Sequence, residues 1–165
     1  MTTRSPLTVC DMAWMAGVID MRGKTRRVVT PTRKTPLCIL VVESRHLPVL
    51  RRMARLTGTR LEVGKAKQLS DIFRRQCVEH CPEAHQHVDK VLPEVGRWHV
   101  SGAGAAIVLA NLMPYFGTDN AARHDFVDQV INQIPLKGRG RHAINQTIDR
   151  LGRLGWDVPP RLVAA

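Results

Sequence analysis

A helix with small residues three and four positions apart constrains this chain more than any other stretch. Residues 10–22 hold Ala13, Ala16 and Gly17, a spacing that places small side chains on neighbouring positions of one helix surface. Such a surface lets two helix axes come close, so this helix is expected to pack backbone to backbone against another helix. Asp11 near its start and Gly23 just past its end suit the termini of such a helix.

The rest of the pattern alternates strands with helices. "KTRRVVTPTRKTPLCILVVES" contains two β-branched apolar runs, Val28–Val29 and Leu37–Val42, joined by a polar stretch with Pro31 and Pro36. It reads as a hairpin with a basic tip. "RHLPVLRRMARLTG" puts Leu47, Leu50 and Ala54 on one helical face beside Val49, Met53 and Leu56, and Gly58 ends the helix. "TRLEVGKAK" alternates as a strand. "GRWHVSG" reads as another, delivering the chain to Ser101, a candidate N-cap for the apolar helix that follows. A further helix, interrupted near Pro114 and Gly117, runs through "NAARHDFVDQVINQI". In the last segment Ile144, Ile148, Leu151 and Gly155 share a stripe. The order is helix, two strands, helix, two strands, helix, which predicts an α+β fold over residues 1–137. Residues 69–95 are a Cys/His-rich insertion, and 138–165 form an appended helical extension.

That order, together with "MAGVIDMRG", resembles the LAGLIDADG homing-endonuclease family. Met15 to Gly23 aligns with the nine-residue motif without a gap. Ala16, Gly17, Ile19, Asp20 and Gly23 are identical to it, and Met15 and Val18 are conservative changes. The stretch "GRWHVSGAGAAIVLANLMPYF" is similar to the final strand and helix of LAGLIDADG-like proteins of actinobacteria and their phages. The resemblance runs from about residue 10 to about residue 134. It implies an αββαββα unit whose four-stranded antiparallel sheet forms a saddle on the DNA major groove. It also implies that the motif helix pairs two units; with one motif in the chain, the implied assembly is a homodimer meeting at Ala13, Ala16 and Gly17.

The eighth motif position departs from the family. There the enzymes carry a metal-binding carboxylate, and this chain carries Arg22. An arginine neither binds Mg²⁺ nor loses its charge, so the family's metal site is absent. Asp20 remains at the sixth position, two residues away and directed elsewhere around the helix. A guanidinium at position 22 suits a phosphate contact instead. The scaffold of a nuclease used for binding is the expectation, with no catalytic residue assigned. The rival enzyme reading makes Asp20 or another carboxylate the metal ligand of a nuclease.

Charge supports a nucleic-acid partner. The 165-residue chain has 25 Lys+Arg against 14 Asp+Glu, a net charge of +11, a balance that favours polyanions. Lys24, Arg26, Arg27, Arg33 and Lys34 gather on the first hairpin, and Arg60, Lys65 and Lys67 on the second strand pair. With Arg22 they make the expected surface for double-stranded DNA, through base edges and phosphates. Arg51, Arg52 and Arg55 fall on the outer side of the second helix and read as solvated surface.

"CVEHCPEAHQHV" places Cys77, Cys81, His85 and His87 within one short segment, with His80 as a competing ligand. Two thiols four apart share a helical face, and two histidines two apart share an extended one, which suits tetrahedral Zn²⁺. With every position filled by protein, the role would be structural. "GAGAAI" lacks the third glycine of a dinucleotide fingerprint, and "GRGR" at 138–141 reads as a basic linker. No apolar run reaches membrane-spanning length and no signal-peptide core opens the chain. The expected setting is therefore the cytoplasm, and the family resemblance implies a phage or mobile-element regulator. A protein that engages a host protein through the insertion or the C-terminal helix is the remaining alternative.

Overall fold

The first helix begins at a reciprocal cap. Thr8 Oγ1 accepts from the Asp11 amide at 3.1 Å, and the Asp11 carboxylate accepts from the Thr8 amide at 3.2 Å, opening α1 (Val9–Arg22). The chain turns directly from α1 into β1 (Gly23–Val28). A Cβ at Gly23 would lie 2.6 Å from both the carbonyl oxygen and Cγ2 of Ile19, so only glycine fits this junction. The computed structural model describes residues 7–29, 31, 36–65, 94–117, 120–135 and 138–163, the side chains of Lys65 and Arg139 apart.

β2 (Leu37–Ser44), α2 (Leu47–Thr57), β3 (Glu62–Lys65) and β4 (Glu94–Ser101) follow, and the four strands form one antiparallel sheet in the order β1-β2-β4-β3. Beyond β4 come α3 (Ala103–Leu112), a 3₁₀ turn at Met113–Tyr115, α4 (Ala121–Gln133), α5 (Arg139–Arg153) and α6 (Pro160–Val163). The fold is α+β, and the order read from the sequence holds through α3. The interruption expected near Pro114 is this 3₁₀ turn, which separates α3 from α4. Pro114 has no amide to continue the α-helical ladder.

One face of the sheet is the core. Leu40 and Val42 on β2 and Trp98 and Val100 on β4 are buried there, under Met15, Ala16 and Ile19 of α1 and Leu50 and Met53 of α2. α3 is buried on nearly all sides, from Ala103 to Leu109, because α1, α4, α5 and the sheet surround it. The Trp98 indole N–H donates to Thr57 Oγ1 at 3.1 Å, and that hydroxyl donates to the Met53 carbonyl at 2.8 Å. Both polar groups of this dry layer are thereby satisfied.

Ser101 does not cap α3. It is the last residue of β4, and Gly102, at φ 52°, occupies the cap position while its amide donates to the Cys38 carbonyl at 2.9 Å. The positive φ favours glycine, and a serine one residue earlier is still committed to the sheet. The C-terminal extension is part of the same core rather than an appendage. Leu151, Trp156 and Leu162 are buried, Trp156 Nε1 donates to the Leu56 carbonyl at 2.9 Å, and Asn111 bonds the backbone of Asp157 on both sides. Among the described residues no helix is long and apolar enough to cross a membrane.

Candidate nucleic-acid interface

Strand register decides which basic residues share a surface. Because Leu40 and Val42 face the core, their neighbours Ile39, Val41 and Glu43 belong to the opposite, outer face. Lys24 pairs with Val41 and Arg26 with Ile39, so both cations stand on that outer face. On β4 the same face takes Arg97, His99 and Ser101, paired with Glu43, Val41 and Ile39. Glu62 on β3 pairs with Arg97 from the other side. A row Glu43–Arg97–Glu62 thus crosses the middle of the sheet, with Lys24 and Arg26 along one edge.

The two carboxylates of this row each lie beside a nitrogen of β4. Arg97 Nε lies 3.7 Å from Glu43 Oε1, and His99 Nδ1 lies 3.8 Å from Glu62 Oε1. Both distances exceed a hydrogen bond, and Arg97 Nε and His99 Nδ1 are shut off from solvent without a hydrogen-bond partner. The two side chains are nevertheless 40% and 36% exposed, so their remaining atoms reach the surface. α1 meets this face at its C-terminal end, where Met21 and Arg22 border a recess of about 270 Å³ with Lys24, Val41 and Glu43.

The residues expected to touch DNA are distributed as follows. Lys24 and Arg26 lie on the outer face and Arg22 at its end, all exposed. Arg27 pairs with Cys38 and so falls on the opposite side of β1, the core side of the sheet, where it remains exposed at the edge. Its guanidinium lowers the Cys38 thiol pKa, but burial of that thiol raises it by more. Arg60 is exposed in the turn before β3, and Lys65 pairs with Glu94 at the end of that strand. Arg33, Lys34 and Lys67 lie outside the described residues, as do Cys77, His80, Cys81, His85 and His87. Among the described residues no cluster of three or more His, Cys, Asp or Glu could hold a metal ion. Arg97 and His99 escaped the sequence reading although their signal was present. In "GRWHVS" they alternate with the buried Trp98 and Val100, which puts both on the outer face.

The motif helix divides its small residues between two sides. Ala13 and Gly17 are exposed, and a Cβ at Gly17 would meet nothing within 4 Å. With exposed Cys10 and Met21 they form a stripe along the outside of α1. Ala16, expected on the same contact face, is instead fully buried with Met15 and Ile19 in the chain's own core. Asp20 has a structural setting. Its carboxylate pairs with Arg123 at 2.7 Å and accepts from the Gly117 amide at 2.8 Å, tying α1 to the turn and helix of α4, with only 16% of the side chain exposed. Arg52, read as solvated surface, is partly engaged by Asp11 at 2.9 Å and stacks on Trp14 at 4.2 Å.

No protein-family model matches the chain, and a search of curated proteins returns no match.

Proposed function

We propose that the protein binds double-stranded DNA sequence-specifically, as a homodimer of LAGLIDADG-type units that no longer cut. The observation that carries this reading is the placement of Lys24, Arg26 and Arg97 together on the outer face of an antiparallel sheet, with Arg22 at the end of that face. A twisted sheet face lined with cations matches a groove flanked by phosphates. Two such faces related by the exposed α1 stripe would extend along one duplex. The C-terminal position of α1 holds a cation in place of the metal-binding carboxylate, and Asp20 is occupied by Arg123 and Gly117. Binding without hydrolysis follows from both features. A regulator carried by a phage or mobile element is the setting that the resemblance to the LAGLIDADG family implies. The Cys77/Cys81/His85/His87 set is proposed as a structural Zn²⁺ site that orders the insertion, with no part in cleavage.

The test uses one labelled duplex pool, incubated with the protein and Mg²⁺ or Mn²⁺. The pool should be retarded and stay intact. Arg22→Ala should weaken binding to all sequences by a similar factor, since a phosphate contact carries no base information. Metal-dependent cutting that disappears in Asp20→Asn, with the fold retained, would instead establish the nuclease reading.

A further inference from the structure

We infer that Arg97 and His99 are the base-reading side chains of this surface, held for that role by Glu43 and Glu62, whereas the cations of β1 grip phosphate. The inference deepens the DNA-binding reading and rests on it. Neighbouring strands stand about 4.8 Å apart, so the outer two of four strands are separated by about 14 Å. The B-DNA major groove is about 12 Å wide. A four-stranded face laid over it therefore sets its edge strands against the phosphate walls and its middle strands over the base edges. β1 and β3 are the edges and β2 and β4 the middle. On β2 the outer face offers Ile39 and the fully buried Val41, which have no polar group for a base edge, and Glu43, whose carboxylate lies beside Arg97. β4 offers Arg97 and His99.

The setting of these two side chains suits reading rather than general attraction. Each keeps one nitrogen turned inward beside a carboxylate and out of water, while more than a third of the side chain stays exposed. A guanidinium steered at Nε still has its two terminal nitrogens for the O6 and N7 of guanine. An imidazole steered at Nδ1 still has Nε2. Holding both side chains before DNA arrives reduces the conformational entropy lost on binding. The carboxylates themselves would be poor choices on a surface meant only for phosphate, because each repels the DNA backbone. Their presence is explained if they position Arg97 and His99.

The experiment selects a preferred duplex from a random-sequence duplex pool with the wild-type protein. It then measures affinities for the selected duplex and the starting pool by fluorescence anisotropy. The readout is the ratio of the two. Arg97→Lys keeps the charge and loses the fork, and His99→Ala loses the ring; each should lower the ratio by about 10-fold or more. Lys24→Ala should weaken both affinities and leave the ratio in place. Glu43→Gln removes a negative charge from the surface, so pool affinity should rise while the ratio falls. A ratio unmoved by Arg97→Lys and His99→Ala overturns the inference and leaves sequence-specific DNA binding standing, whereas a selection that yields no preferred sequence overturns both the inference and the specificity. Failure of the wild type to bind the pool at low salt overturns DNA binding as well.

Discussion

Replacing Gly17 with leucine separates the fold of one chain from the pairing of two. Within a single chain the change is benign, because a Cβ at this position meets nothing within 4 Å. Glycine in a helix interior is less favourable than alanine by about 0.5–1 kcal/mol, and leucine is nearly as good as alanine. The isolated subunit should therefore gain about 0.5–1 kcal/mol, which for a chain of this size raises its melting temperature by roughly 1–4 °C. In a dimer formed on the Ala13/Gly17 stripe the effect reverses. A two-fold axis brings both copies of the new side chain to the same contact. Overpacking of about 1–3 kcal/mol on each side sums to about 2–6 kcal/mol. At about 1.4 kcal/mol per tenfold, dimerisation weakens by roughly 30-fold or more. Sedimentation equilibrium reads the association of the 18.5 kDa chain, and thermal circular dichroism at high dilution reads the subunit. The reasoning is refuted if Gly17→Leu associates as tightly as wild type, or if the wild type stays monomeric at micromolar concentration with duplex DNA present.

Other perturbations test the core, the α1 cap and the insertion. Thr57→Val keeps the shape but strands the Trp98 indole N–H in a buried layer; it should cost about 1–3 kcal/mol, seen as a lower urea midpoint at unchanged slope. The Asp11 carboxyl is held below its ordinary range first by the hydrogen bond from Arg52 and then by Thr8. A depressed folded-state pKa contributes stability that is complete above the unfolded value and vanishes as pH falls through the folded value. Asp11→Asn should therefore lower the melting temperature at neutral pH, and the gap from wild type should close in acid below about pH 3.8. A gap that persists unchanged there would mean that the cap, not the charge, is what Asp11 supplies. Zn²⁺ should co-purify at about one ion per chain, and Cys77→Ser or His85→Ala should abolish it. Metal analysis that finds none in protein prepared without chelator would reject that site.

Periodicity made β4 and the first two helices readable, since Gly96, Trp98 and Val100 are buried at every second residue, whereas β2 was legible from its apolar run, in which Leu40, Val41 and Val42 are all buried. The same alternation held Arg97 and His99, but charge gathered on the first hairpin drew the reading toward β1. Small residues three and four apart were a weaker guide. Ala13 and Gly17 fall within about 40° of each other around the helix, whereas Ala16 lies about 100° from Gly17 and about 60° from Ile19, and it is buried with Ile19 in the core. The helix boundary at Gly102 depends on the pairing of Ser101 with Ile39, a contact between distant parts of the chain. The place of residues 138–163 was equally non-local. Trp156 is fixed by the carbonyl of Leu56 and the α3 asparagine holds Asp157, contacts that no local pattern announces.

Central to the account is that the outer face meets a polyanion, and the salt dependence of duplex binding tests this most directly. Each phosphate neutralised releases counterions, and log K falls with log salt by about 0.9 per phosphate on B-DNA. With roughly 6–8 phosphates engaged by a dimer, the slope should be about −5 to −7. Lys24→Ala and Arg26→Ala should each make it shallower. A slope near zero, or no binding to duplex DNA at low salt, would contradict the account.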